Sequence, residues 1–464
     1  MTIRVKQYLA DGLGDSSYLV VDDERKVATV IDPQRDVWRY LDEAARDGCA
    51  LTHSFDTHVH NDFVSGSFAL QEFADTRVVA GAGANFSFAF HSVRDGESIE
   101  VGGITLTALH TPGHTPEHMS YALATRDGGM RGIFTGGSLI VGSAGRTDLL
   151  GAGETELLTR LQRGSLRRLA GLPADLPVYP THGQGSFCSA QESDDGRTTT
   201  IGRERAQNAA VRVALDQDED AFVRHQLRGL PAYPAYYAHM APLNRRGAPS
   251  IGARLPELTP VDPHHAFAMQ ERGTLIVDAR RSAELGDGYP RGATAISLGD
   301  SFASYVGWVL PFNAELLLVL PSDREARRAH IQLFRIGFDR CAGFVAGGFN
   351  AWRAAGLPQS ALDLVDLKEA RDLLESGRVL LLDVRQDHEW AQGHVPGAVH
   401  VPVGELPRRL GDIPDGRPVM TMCASGLRAT MAATIIRRVG MEPKAILGGV
   451  GDWRARGWPL ESET

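Results

Sequence analysis

Cysteine is scarce in this chain: four residues in 464, at Cys49, Cys188, Cys341 and Cys423. They lie far apart and form no C-x-x-C pair. This excludes a disulfide framework and a four-cysteine zinc site, and it fits a reducing, cytoplasmic compartment. Long apolar runs are missing too. No stretch approaches the roughly 20 residues of a membrane span, and the opening MTIRVKQYLADGL lacks the apolar core of an export signal. Basic charge is also short, with 48 Lys and Arg against 57 Asp and Glu and a net charge of −9. Such a balance argues against nucleic acid or an anionic membrane as a partner, and it is compatible with a homo-oligomer. What is present is an ordinary globular mixture, 43% hydrophobic with 51 glycines. At about 150 residues per domain the length suggests three domains.

The C-terminal half repeats itself. Residues 278–293 read DARRSAELGDGYPRGA and residues 383–398 read DVRQDHEWAQGHVPGA. Asp278, Arg280, Glu284 and Gly288 return without a gap as Asp383, Arg385, Glu389 and Gly393. Each copy closes alike, with GGFNAWRAAGLP at 347–358 and GGVGDWRARGWP at 448–459. In the second copy VLLLDVR, VMTMC and AILGG read as short buried strands, with the helical pattern LRATMAATIIRRVG between the last two. This alternation predicts βαβ units around a parallel sheet. The expected boundaries are 1–240 for a separate N-terminal domain, 241–258 for a connector, 259–358 for the first copy and 363–461 for the second. The stretch 230–260 is rich in Pro, Gly and aromatics, which predicts an ordered connector, since the aromatics would seek burial.

Within the N-terminal domain, SSYLVVDD and KVATVIDP read as adjacent strands, DVWRYLDEAARDG as an amphipathic helix, and LTHSFDTH as a strand that runs into THVHND. That motif places His58, His60 and Asp62 at alternate positions, which point one way on extended backbone. His114 follows in a Gly-Pro loop after ITLTALH, and His182 in a Gly-rich loop after VYP. Histidines at three separate strand ends suit a divalent metal of borderline softness, Fe(II) or Zn(II). His53, His91, His110 and His118 are read as ordinary surface or core residues.

On these motifs the N-terminal domain resembles the metallo-β-lactamase superfamily, an αββα sandwich. THVHND matches its HxHxDH signature, TPGHT its second ligand loop and THG its last. FTGGSLIVGSAGRTDLLG at 134–151 looks like the persulfide dioxygenase branch, in which two histidines and one aspartate hold iron. The matching histidines are His58 and His114. Two departures stand out. Phe63 replaces the last histidine of HxHxDH, and Gly137 replaces the aspartate of the TGD step. The resemblance therefore implies a site built from His58, His60 and His114, with Asp62 and His182 completing it or orienting its imidazoles. Arg146 of GRTDL is either a thiol-substrate contact or half of an ion pair with Asp148.

The second motif is MCASGLRAT. Cys423 follows a strand and opens a helix, so its sulfur meets a nest of backbone N–H groups at a helix N-terminus. Gly426 lets the loop of Ala424, Ser425, Gly426 and Leu427 curl tightly, and Arg428 adds a fixed positive charge. Such a loop suits a thiolate or a persulfide anion. It resembles the C-x-x-G-x-R loop of rhodaneses, and DVRQDHEWAQGHVPGAVHVP fits the same family. Only four residues separate Cys423 from Arg428, which favours sulfur over phosphate as the bound group. The first copy has no cysteine at the matching place: its counterpart is Ser322 or Leu320, depending on the anchor used. It reads as an inactive rhodanese, with Cys341 in its core. The aromatic segment SYVGWVLPFN is expected to pack against a neighbouring domain.

The implied architecture is a metallo-β-lactamase sandwich followed by two α/β rhodanese domains with parallel sheets. The implied activities are persulfide oxidation at one divalent metal and sulfur transfer through Cys423 and Arg428. The small-molecule partners would be a thiol persulfide, sulfite and thiosulfate. A glutathione-thioester hydrolase with a rhodanese tail, and a sulfurtransferase with a silent metal domain, remain open on the sequence.

Overall fold

A computed structural model of the chain describes residues 3–126, 128–190, 196–252, 254–414 and 416–462. The chain divides into two compact units. The first runs to Leu255 and takes in Phe334–Gly337; the second runs from Pro256 and holds the remainder.

The first unit is built on two six-stranded mixed sheets. In one, the strands Ile3–Ala10, Asp15–Asp22, Val27–Ile31, Ala50–Phe55, Arg77–Gly81 and His91–Val93 lie side by side in chain order. The second strand shows how the layers arise. Tyr18 and Val20 point to one face and join Phe55, Val79, Leu106, Tyr121 and Phe134 in the core between the sheets. Leu19 and Val21 point to the other face and pack on Tyr40, Ala44 and Leu70, from the helices Trp38–Arg46 and Ser67–Ala74. A period of two with both faces apolar makes a strand buried on both sides. The second sheet, centred on Met119–Thr125 and Met130–Gly136, is covered on its outer face by Leu166, Leu169, Val211 and Phe222. The layer order is helix, sheet, sheet, helix. Residues 241–246 of the expected connector belong to a helix of this unit, Tyr237–Arg246.

The second unit contains the repeat. The first copy orders its parallel strands as Pro260–Val261, Cys341–Val345, Leu316–Val319, Leu275–Asp278 and Thr294–Ala295. The second copy repeats that order with Asp363–Val365, Lys444–Gly449, Val419–Cys423, Leu380–Asp383 and Val399–His400. The repeated residues have matching roles. Arg280 grips Asp278 and donates to the Gly288 carbonyl, as Arg385 does with Asp383 and Gly393. Glu284 and Glu389 each cap a helical turn by accepting from the backbone N–H three residues back. The two copies touch. Ser282 lies 2.9 Å from Thr430, hydroxyl to hydroxyl, and Thr434 accepts from the Ala295 N–H. Trp308, from the aromatic segment, seats its indole against Gly404 so closely that any Cβ there would lie 1.9 Å from its nitrogen.

Candidate functional site

In the first unit, loops that follow strands bring His58, His60, Asp62, His114 and His182 together, all buried. Ligand atoms of His58, His114 and His182 lie within 4.8 Å of one another, and so do those of His60, Asp62 and His182. The hydrogen bonds settle which ring nitrogen of each histidine faces inward. Thr57 donates its hydroxyl to Asp32, so its oxygen accepts from Nδ1 of His58, 2.8 Å away. The Arg146 carbonyl accepts from Nδ1 of His114 at 2.8 Å, and Asp15 accepts from Nδ1 of His182 at 2.9 Å. Each of these turns Nε2 inward, where Nε2 of His58 and Nε2 of His182 lie 3.3 Å apart, within hydrogen-bond reach of each other. His60 is turned the other way: its Nε2 lies 3.2 Å from Asp32, and Nδ1 is the free nitrogen. Nδ1 of His60 and Nε2 of His114 are buried without a hydrogen-bond partner. An orphaned buried nitrogen is costly, and a metal ion would satisfy either one: His114 groups with His58 and His182, and His60 with Asp62 and His182. The residues fit a divalent ion.

The electrostatics agree. Burial, with the neighbouring imidazoles, holds His58 well below the usual histidine range and His114 at about 3, so both stay neutral and able to ligate. For His182 burial works the other way from its surroundings: the carboxylates of Asp62 and Asp15 outweigh it and push the imidazole up to about 10. Those carboxylates demand positive charge at His182, which either a proton or a metal can supply.

Residues that were not evident in the sequence hold the centre in shape. Asp32, in the left-handed region at φ 48°, accepts from the Thr57 N–H and hydroxyl, from Thr181 and from His60. Gln162 accepts from the His114 N–H at 2.9 Å. Tyr236 donates to the Asp62 carbonyl, and Asn244 donates to the carbonyls of His60 and Phe63. Only the aromatic content of the connector hinted at such a role. His118, read from the sequence as ordinary, is fully buried and stacks on His58 with centroids 5.1 Å apart. Its Nε2 accepts from the Gly137 N–H at 3.0 Å, and its Nδ1 lies 2.9 Å from the Thr111 hydroxyl, so both ring nitrogens are occupied.

The two departures from the superfamily pattern have clear structural consequences. The Phe63 ring stacks on His60 at 4.1 Å, where a further histidine would otherwise stand. A Cβ on Gly137 would lie 2.3 Å from Cδ2 of His114, so the His114 ring takes the space of a side chain there. Arg146 is 1% exposed. Its guanidinium is committed to Asp148 and the Phe187 carbonyl and lies over the Tyr233 ring. It acts on the centre through its backbone carbonyl.

In the second unit, Cys423 ends the strand Val419–Cys423 and is 1% exposed. Its sulfur accepts from the Gly426 N–H at 3.0 Å. Gly426 has φ 96° and starts the helix Leu427–Arg437, so the peptide dipoles of that helix face the sulfur. Ala424 and Ser425 form the exposed crest of the loop. Close approach is needed beneath it, because a Cβ on Gly449 would lie 1.6 Å from the Ala424 carbonyl oxygen. Arg428 does not reach the sulfur as a free cation. Both of its Nη atoms pair with Glu389 at 2.6 and 2.8 Å. In the first copy Val319 pairs with Asp278 as Met422 pairs with Asp383, so Leu320 is the counterpart of Cys423. Ser322 lies two residues further on, where it caps the following turn. Cys341 lies on a strand of that copy.

Comparison with known proteins bears on both units. The family model described as rhodanese-like domain matches residues 366–456. The chain is similar to hydroxyacylglutathione hydrolase of Pseudomonas paraeruginosa, 34% identical over 36% of this chain and 60% of that protein. It is similar to human mitochondrial persulfide dioxygenase ETHE1, 28% identical over 43% of this chain and 73% of that one. It also matches a solved structure titled metallo-beta-lactamase, from Staphylococcus aureus subsp. aureus COL. The TM-score is 0.66 at 28% identity, covering 75% of this chain and 99% of that one. The chain spans 60% of the hydrolase's length.

Proposed function

We propose that this chain, a fusion of a metallo-β-lactamase-fold, persulfide-dioxygenase-like domain with a rhodanese domain, processes low-molecular-weight thiol persulfides at two sites. The first oxidises the persulfide: RSSH, O2 and water give RSH, sulfite and two protons. The second moves sulfane sulfur. The Cys423 thiolate attacks the outer sulfur of RSSH, a new S–S bond forms, and the carrier leaves as RSH. Sulfite then attacks that sulfur, giving thiosulfate and regenerating the thiolate.

At the first site His58, His60, Asp62, His114 and His182 are the residues to hold the metal, which when bound would bring persulfide sulfur and dioxygen side by side. The chain's own contribution is orientation. Asp32, Thr57, Asp15 and the Arg146 carbonyl fix each imidazole and its tautomer. Burial keeps competing water out. At the second site the Gly426 N–H and the helix behind it stabilise the thiolate and, after transfer, the persulfide anion. Arg428, neutralised by Glu389, positions the loop and the helix start.

The Cys423 sulfur seated on the Gly426 amide carries this reading. The test is a single turnover with glutathione persulfide followed by intact-mass measurement. A gain of one sulfur on Cys423, lost again as thiosulfate when sulfite is added, is expected. Absence of the adduct would overturn the sulfur-transfer assignment. Thioester hydrolysis by a two-metal centre is less well supported, because Phe63 and Gly137 stand where the second-ion histidine and the bridging carboxylate would be required.

A further inference from the structure

We infer that Tyr305, carried by the copy that lacks a cysteine, is the sulfite-binding residue of the Cys423 site, its hydroxyl donating to an oxygen of the incoming sulfite. The inference rests on the reading of Cys423 as the sulfur carrier and adds a group from the first copy that binds the acceptor.

Packing brings Tyr305 to that site. The helix Phe302–Val309 is buried at every position except Tyr305. Three residues on, Trp308 sets its indole against Gly404 of the second copy. The two rings share one face of the helix and stack with centroids 6.1 Å apart and planes at 15°. Gly404 stands at the end of the sheet that holds the thiol: Val403 donates to the Val384 carbonyl, and Val384 donates to the carbonyl of Met422, the residue before Cys423. The first copy also meets the start of the helix behind the sulfur, where Ser282 contacts Thr430. Tyr305 stays partly exposed, and among the described residues none hydrogen-bonds its hydroxyl. An ordered phenol with a free hydroxyl is a ready donor.

The charges agree. Loss of water around the ring pushes the Tyr305 phenol above its usual range, so it keeps its proton. The charged groups that act on it are Arg428, Cys423 and Glu389, and Tyr305 in turn helps to hold the Arg428 charge against burial. Arg428 is occupied by Glu389, so an acceptor oxyanion needs another side-chain donor. In the transfer step the sulfite sulfur attacks the outer sulfur of the Cys423 persulfide. A new S–S bond forms, the bond to Sγ breaks, and its electron pair returns to Sγ as the thiolate while thiosulfate leaves. No proton and no outside oxidant is required. Two anions must meet for this, and a hydrogen bond from Tyr305 to a sulfite oxygen offsets their repulsion.

The test separates the two half-reactions. Full-length protein is loaded with glutathione persulfide without O2, desalted, and mixed anaerobically with sulfite at several concentrations while thiosulfate release is followed. Tyr305→Phe is expected to take up sulfur on Cys423 to the wild-type extent. It should then need at least about tenfold more sulfite for the same rate, as the loss of one donor to an anion predicts. Cyanide, which accepts sulfane sulfur but carries no oxygen, should discharge both proteins equally fast. Equal sulfite dependence in the two proteins would overturn the role. Parallel slowing with sulfite and with cyanide would overturn it too, because Tyr305 would then act through packing alone. Wild-type Cys423 is checked by intact mass before sulfite is added. Absence of sulfur there removes the carrier assignment and this role together, whereas a loaded wild type with equal sulfite dependence removes this role alone.

Discussion

Nε2 of His58 and Nε2 of His182 lie 3.3 Å apart although 124 residues separate them in the chain. The contact exists because Asp15 and His182 form an isolated bridge between the first sheet and the loop after Pro177–Pro180, and the Ser16 N–H donates to Thr181. The ends of the strands Asp15–Asp22 and Pro177–Pro180 thereby deliver the last histidine to the HxH loop. Several expectations follow from this centre and from the Cys423 loop.

Asp32→Asn should loosen the metal centre. The carboxylate accepts from Thr57, Thr181 and His60, and an amide cannot accept from all of them. Loss of such an orienting group typically costs 10–100-fold in metal affinity. Cobalt or zinc titration against a competing chelator would measure it, and an unchanged affinity would count against the ligand geometry described above.

Cys423→Ala should abolish thiosulfate sulfurtransferase activity and leave the melting temperature nearly unchanged. Adding Leu320→Cys to that variant should not recover activity. The first copy has Pro321, Ser322 and Asp323 where the second has Ala424, Ser425 and Gly426, so the thiol would lack its amide. Activity of the double variant above background would show that the first copy retains a working loop.

Gly426→Ala should damage both stability and transfer. The residue sits at φ 96°, and an added Cβ would lie 3.2 Å from the Ile446 carbonyl oxygen. Placing a side chain in the left-handed region costs roughly 1–2 kcal/mol. Any relaxation also moves the N–H that contacts the sulfur. Denaturant unfolding and steady-state transfer should both fall; a change in stability alone would separate the amide from the chemistry.

His330 should make the second unit acid-sensitive. Burial, reinforced by Arg327, pushes its imidazole down to about 4 against the pull of the Pro256 carbonyl. The folded state therefore holds it neutral. Its contribution is intact above pH 6.5 and lost as pH falls toward 4, by at most about 1.4 kcal/mol per pH unit. His330→Leu should flatten the difference in urea stability between pH 7 and pH 5. An unchanged difference would show that other groups control acid unfolding.

Much of this was legible in the sequence, for physical reasons. The strands Asp15–Asp22, Val419–Cys423 and Leu380–Asp383 are short apolar runs bounded by turn residues, which few other conformations accommodate. The repeat exposed itself because Asp278, Arg280 and Glu284, like Asp383, Arg385 and Glu389, form local hydrogen bonds that demand fixed spacing. The match between Cys423 and Leu320 was not legible, since loops of unequal length shift the count and only strand register resolves it. The sequence shows Arg428 as a fixed positive charge beside the sulfur, without its partner. Its partner Glu389 lies 39 residues away, and no local pattern links them. Asp15 and Asn244 were missed for the same reason: each meets the histidine loops only through tertiary contact.

The central claim is that the first domain oxidises thiol persulfide while Cys423 handles the sulfane sulfur. The most direct measurement is O2 consumption by iron-loaded protein given glutathione persulfide, with the His58→Ala variant as the control for spontaneous oxidation. The account predicts uptake that disappears in the control, with sulfite as the product, or thiosulfate when Cys423 is present. Uptake equal to that of the control, with Cys423-dependent transfer intact, would contradict it and leave a sulfurtransferase joined to a domain that does not oxidise persulfide.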